Sequence, residues 1–331
     1  NNTVNGWQGV VTVVECLADC SAEGFVLRDV RRVDHTGATT SGAEATTNPW
    51  TDINRTMLLG GFNGAGCDTA EAATVNTKVC HARIVPSDPD QINWTRDAGG
   101  ATLSDATSTV MVLEWGSQWT VQRTRVQGGN GGDGADAVGE YNTAAINPVN
   151  RADTWVWGTG HTNDQGIGDA AEAVLLTLGN GVNQNATESL VAAGIEYAGN
   201  AVDFEVYALT HSDLAVDQVF KTDGDGGLLT IDVATAAAGQ ERMALSYNGQ
   251  NGNGNAYPRP MFSARYTAPA TIRLERRRSG QDVPAWVQGI DYTGISVDVA
   301  PASGGAPPNL VIPADGLTIA PGETFRATFQ V

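Results

Sequence analysis

Along the chain, short runs of β-branched and aromatic residues alternate with polar ones, and no long segment carries apolar residues at the 3.6-residue period of a helix. Such alternation is what strands with one face in a core produce, so the pattern predicts an all-β protein. The clearest run is Val110-Met111-Val112-Leu113-Glu114-Trp115, and similar runs begin at Val11, Val202 and Val283. Their spacing is close to the ~100 residues of a β-sandwich domain, which predicts a repeated unit. The fold expected is therefore three tandem antiparallel β-sandwich repeats, with an N-terminal orphan strand and a short C-terminal β-hairpin segment. The boundaries expected are a strand and Cys turn over 1–24, sandwiches over 25–116, 117–211 and 212–293, and a C-terminal arm over 294–331.

Within the units the strands fall in a common order. Phe25 to Val33 and Trp119 to Val126 both set arginines between apolar positions, as a strand with a core face and an outward arginine row would. In the first unit Thr56 to Gly61, Val79 to Val85, Ile92 to Arg96 and Val110 to Trp115 follow. In the second, Thr154 to Gly158, Ala173 to Leu178, Ile195 to Ala198 and Val202 to Leu209 take those places. In the third, they are Met243 to Tyr247, Met261 to Tyr266, Ile272 to Arg276 and Val283 to Ile290. The run Val11-Thr12-Val13-Val14-Glu15 matches the closing strand of a unit whose earlier strands are absent. Val11, Val13 and Val14 are thus candidates for a strand that adds to another sheet edge, in its own chain or in a neighbour.

Composition narrows the function classes. Acidic residues outnumber basic ones 37 to 19, for a formal net charge of -18, which argues against nucleic acid as a partner. Lys78 and Lys221 are the only lysines. No apolar run approaches the ~20 residues of a membrane span. The chain starts Asn1-Asn2-Thr3, and a removed secretory signal would account for this. Cys16, Cys20, Cys67 and Cys80 form an even set without a Cys-x-x-Cys pair, so disulfides are expected rather than zinc, with their connectivity open.

Candidate chemistry is sparse. None of the four histidines lies in a zinc-protease pattern, and no Gly-x-Ser-x-Gly elbow occurs. Asp133 and Asp136, and Asp223 and Asp225, place carboxylates in glycine-rich loops, where oxygen ligands on a flexible backbone suit Ca2+; otherwise these are turn residues. Trp155 and Trp157 stand two apart and share one face of a strand, as sugar-stacking platforms or as core. His161 with Asp164, and His211 with Asp213, are polar loop pairs or ligand contacts. Arg273, Arg276, Arg277 and Arg278 form the one basic cluster, and Arg273 with Glu275 hints at lateral ion pairing.

The strand order, clearest over Thr154 to Gly158, Val174 to Leu178, Ile195 to Ala198 and Val202 to Leu209, resembles the small six-stranded H-type-lectin-like sandwich, over residues 25–293. Such sandwiches also recur in tandem in phage tail and other virion structural proteins. The resemblance implies units gathered about a threefold axis and binding of N-acetylgalactosamine-like sugars. The C-terminal hairpin over Leu317 to Val331, with Ala320-Pro321-Gly322-Glu323-Thr324 between its strands, is similar to hairpins of bacterial immunoglobulin-like surface domains. The function expected is a non-enzymatic, secreted structural subunit of an extracellular filament, appendage or surface assembly, linked to copies of itself by terminal strands. A virion structural protein, such as a tail fibre or decoration subunit, and a carbohydrate-binding module that meets cell-surface glycans are the alternatives. No cofactor is expected apart from the Ca2+ candidates.

Overall fold

The computed structural model describes residues 24–36, 39–64, 82–87, 90–96, 106–129, 141–162, 175–180, 185–194, 201–221, 230–234, 242–248, 263–268, 270–275 and 285–292. Among these residues the protein is all-β, with two 3-10 turns and no α-helix. The first strands are β1 (Phe25–His35), β2 (Ser41–Ala45), β3 (Thr56–Gly64), β4 (Arg83–Ser87), β5 (Gln91–Thr95) and β6 (Ala106–Trp115). Then come β7 (Thr120–Gly129), β8 (Asn142–Asn150), β9 (Thr154–Thr162), β10 (Leu175–Leu178), β11 (Thr187–Gly194) and β12 (Ala201–Thr210). The last are β13 (Leu214–Lys221), β14 (Thr230–Ala234), β15 (Arg242–Asn248), β16 (Ser263–Ala268), β17 (Thr271–Glu275) and β18 (Ala285–Tyr292).

The sheets have orders β1-β6-β3 and β2-β5-β4, β7-β12-β9 and β8-β11-β10, and β13-β18-β15 and β14-β17-β16, with every pairing antiparallel. Adding six to each strand number turns one pair of sheets into the next. The three groups of six strands are called units 1, 2 and 3 below. In each, the sixth strand is the centre of one sheet and the fifth the centre of the other.

Each pair of sheets encloses its own apolar core, as period-2 strands packed face to face require. Val33, Leu58, Ile84, Ile92, Trp94, Val110 and Val112 fill unit 1. Val126, Val156, Leu176, Val191 and Val206 fill unit 2, and Ile231, Val233, Ile272, Leu274 and Val287 fill unit 3. A shared glycine fixes the packing of units 1 and 2. A Cβ on Gly60 would come within 2.9 Å of Ile84, and one on Gly158 would come as close to Leu176, so β3 and β9 meet the opposite sheet at the same place.

Several expected strands differ from those observed. The fifth strand of unit 2 is Thr187–Gly194, not Ile195 to Ala198, which lies outside the described residues. β2, β8, β13 and β14 have no counterpart in the expected set. The runs at Val110, Val202 and Val283 do mark the central strands β6, β12 and β18, but their residues are out of step. Thr56 pairs with Glu114 and Thr154 with Thr210, which makes Val206, not Val202, the counterpart of Val110. β1 also departs from a simple arginine row. A bulge between Leu27 and Asp29 shifts the alternation and turns Leu27 and Val30 outward. The orphan strand at Val11, Val13 and Val14, the four cysteines, and the C-terminal hairpin lie outside the described residues.

A fourth cluster lies between units. Met57 and Trp115 of unit 1, Trp155, Tyr207 and Leu209 of unit 2, and Leu214, Val216 and Ile290 of unit 3 pack together, with Trp119 from the connection between β6 and β7. All lie on or beside the sheets built around β6, β12 and β18, on the faces turned away from the sandwich cores. No helix of the described residues is long and apolar enough to cross a membrane.

Candidate assembly surface

The two junctions between units are built alike. In the first, edge strand β4 lies across the outer face of β9 and β12; in the second, β10 lies across β15 and β18. The 3-10 turn Ile53–Arg55 meets β7, and the 3-10 turn Arg151–Asp153 meets β13. Each turn is capped by a side chain, Asp52 accepting from Asn54 N–H and Asn150 accepting from Ala152 N–H. These turns precede β3 and β9 and carry the edge of one unit onto the next.

Polar groups key both junctions. In the first, the Arg83 guanidinium donates to Glu205 at 2.9 and 3.0 Å, and Arg123 stands 3.3 Å from the same carboxylate. Arg83 also comes within 3.7 Å of Asp203, which within unit 2 accepts from Arg125 at 2.6 and 2.8 Å and lies 3.5 Å from His161. Burial raises the Glu205 carboxyl above its ordinary value, a rise that Arg83 and Arg123 only partly offset. Burial acts on Asp203 too, but Arg125, Arg83 and His161 outweigh it and hold that carboxyl low. Ile84 N–H donates to the Thr159 hydroxyl at 3.2 Å.

In the second junction the Gln288 amide makes two 2.9 Å bonds to the free backbone edge of β9, accepting from Val156 N–H and donating to Val156 C=O. Gln218 donates to Thr154 C=O at 3.1 Å and accepts from Arg151 at 3.0 Å. Arg151 also reaches Glu188 at 3.3 Å and lies over the Trp286 ring. Tyr207 occupies in unit 2 the place of Gln288 in unit 3, and its hydroxyl lies against the backbone of Leu58, the counterpart of Val156. The same place on the sheet is thus buried against the preceding unit twice, through hydrogen bonds at Gln288 and without one at the Tyr207 hydroxyl.

In unit 1 the matching face is open. The cross-strand row Arg123, Tyr207, Trp157 of unit 2 corresponds to Gln218, Gln288, Leu245 of unit 3 and to Val30, Met111, Leu59 of unit 1. Its central residue is 0% exposed in Tyr207, 1% in Gln288 and 41% in Met111. Val30 beside it is 51% exposed and Leu27 is 49% exposed. These three are the exposed large hydrophobic residues among those described.

Other candidate residues find structural uses. Trp155 is buried in the inter-unit cluster, and Trp157 packs against it partly buried. Asp213 N–H donates to His211 Nδ1 at 3.1 Å within a turn. Arg273 pairs with Asp232 at 2.7 and 2.8 Å across the sheet, while Glu275 takes Arg265 at 2.9 Å. His35 Nε2 lies 2.8 Å from Ser108 Oγ, but both residues are fully buried beside Trp94, out of a substrate's reach. Glu114 accepts from Arg28 at 2.8 Å and from Thr51 N–H and hydroxyl; burial works to raise its pKa, but Thr51 and Arg28 prevail and keep it low. That network ties the segment before β3 to β6. Asp133, Asp136, Asp223 and Asp225 lie outside the described residues, among which no three His, Cys, Asp or Glu side chains gather as a metal site.

Sequence reasoning missed Gln288, Tyr207 and Arg83, since each works only across a junction. Leu27, Val30 and Met111 are not singled out by the amino-acid pattern, where they stand simply among the apolar residues of their runs. The one available signal was Val30, which follows an arginine-aspartate pair that breaks the alternation of β1. No family model matches the chain, and no significant match was found among curated proteins or solved structures.

Proposed function

We propose that this protein is a non-enzymatic structural subunit that assembles with copies of itself into an extracellular filament, appendage or surface layer. One observation carries the reading: the same buried junction is used between units 1 and 2 and between units 2 and 3. A contact repeated head to tail is the geometry of an extending assembly, and here most conspicuous side chains serve joints. The expected terminal-strand link through Val11, Val13 and Val14 is an alternative contact for such an assembly, and the likeness to H-type-lectin-like sandwiches fits the same reading. The carbohydrate-binding alternative draws less support, because Trp155 is committed to packing.

Electron microscopy and light scattering of the purified protein over a range of concentrations test the proposal. Elongated or sheet-like assemblies, or a mass that grows with concentration, are expected. A monodisperse monomer at every concentration and salt level would sink it.

A further inference from the structure

Units 2 and 3 each have the outer face of their first sheet covered by the unit before. In unit 1 the same face shows Leu27, Val30 and Met111 to solvent. Val30 is the cross-strand partner of Met111, and Leu27 lies two pairs along on the same face, opposite the buried Leu113. An exposed apolar patch on a sheet face marks an interaction site.

The complementary element is at the other end of the molecule. In units 1 and 2 the fourth strand covers the next unit. The fourth strand of unit 3, β16, covers no further unit among the described residues, and it exposes Arg265, Thr267 and Ala268. Between unit 3 and unit 1 no strand pair makes a contact comparable with those at the two junctions, so the chain does not close on itself through its described residues.

We propose that the open face of unit 1, centred on Leu27, Val30 and Met111, is the docking surface for unit 3 of a second copy of this chain, which lays β16 across β3 and β6 and sets the edge of β15 against Met111. This deepens the self-assembling role proposed above and rests on it. The contact continues the interface already used twice within the chain. Register positions support the match. Arg83 and Glu205 face each other at the first junction, and Leu175 and Trp286 stand at the corresponding places of the second. Unit 3 and unit 1 offer Ser263 and Thr109 at these places, so the contact buries no unpaired charge there. One face and one edge per copy make a head-to-tail contact, which extends unless rotation closes it into a ring.

The experiment uses the full chain and two variants. The face variant carries Val30→Asp and Met111→Asp, and the edge variant carries Arg265→Glu and Thr267→Glu. All four residues are exposed, and unchanged circular dichroism and melting would show that both variants fold. Each variant alone is expected to lose every species larger than a monomer at concentrations where the parent assembles. Mixed one to one, they should form a dimer and nothing larger, since only one intact face and one intact edge remain. A parent that never assembles overturns both this inference and the proposed function. A face variant that assembles like the parent overturns the inference alone, all the more if deleting residues 1–23 abolishes assembly. An edge variant that assembles like the parent shows that the occupant of the face is not β16, which also overturns it.

Discussion

At the scale of single residues, several buried polar groups find their partners on another element. Gln288 satisfies both backbone groups of Val156 on an edge where no strand pairs. Gln288→Met would leave a buried N–H and C=O without partners, at a cost of about 1–3 kcal/mol each. The variant should show a urea midpoint lowered by the equivalent of roughly 2–6 kcal/mol; a midpoint equal to the parent's would show that Gln288 is not the key of that junction. His35 offers a second test. Burial, helped by the nearby Arg96 charge and only weakly opposed by Asp34, lowers its pKa from 6.5 to about 4. In the unfolded chain the imidazole takes up its proton near pH 6.5, while in the folded chain it stays neutral down to about 4. Its contribution to stability is therefore complete above pH 6.5, is lost as pH falls towards 4, and amounts to about 3 kcal/mol across that window. Melting temperature followed from pH 7 to pH 4 should fall less steeply in His35→Gln than in the parent. Parallel profiles would contradict the assignment.

At the scale of elements, strands are held by tertiary contacts as much as by their own composition. β2 is Ser41-Gly42-Ala43-Glu44-Ala45, a run with little strand propensity, yet it pairs with β5 residue by residue. Gly42 faces Trp94 across the ladder, and a Cβ there would meet the indole at 2.6 Å. The glycine makes room for the tryptophan that fills the unit 1 core. Gly42→Val should displace that ring and cost about 1–3 kcal/mol, read as a lower unfolding midpoint with shifted tryptophan fluorescence; an unaltered midpoint and spectrum would exclude this role. The same contact explains what the amino-acid pattern left hidden. Central strands such as β6 and β12 are rich in Val, Leu and Tyr, and their existence was legible. β2 and β8, with Ala, Asn and Gly in most places, give no strand signal of their own, because the partners that stabilise them are distant in sequence. The bulge in β1 was equally hidden, and with it the outward turn of Leu27 and Val30, since alternation alone puts apolar residues inside. The junction residues could not be assigned from the pattern at all: Tyr207, Gln288 and Met111 share a place but no chemistry.

For the whole molecule, net charge and exposed apolar surface oppose each other. A formal charge of -18 makes free copies repel, whereas the face at Leu27, Val30 and Met111 is apolar and Arg265 of β16 already has Glu275 of its own unit as partner. Salt weakens only the first of these. The screening length falls from about 30 Å at 0.01 M to about 3 Å at 1 M, which removes most of the repulsion between approaching subunits. Sulfate additionally strengthens burial of apolar surface by its exclusion from the protein. Assembly followed by light scattering should therefore rise with ionic strength, and rise further in sulfate than in chloride at equal ionic strength. A contact between copies dominated by ion pairs, like the exchange of Arg83 with Glu205 within the chain, would respond in the opposite sense and weaken as salt is added. A fall in scattered intensity between 0.01 and 1 M salt, about the range over which screening becomes complete, would thus argue for a charged interface elsewhere on the molecule and against the apolar face of unit 1.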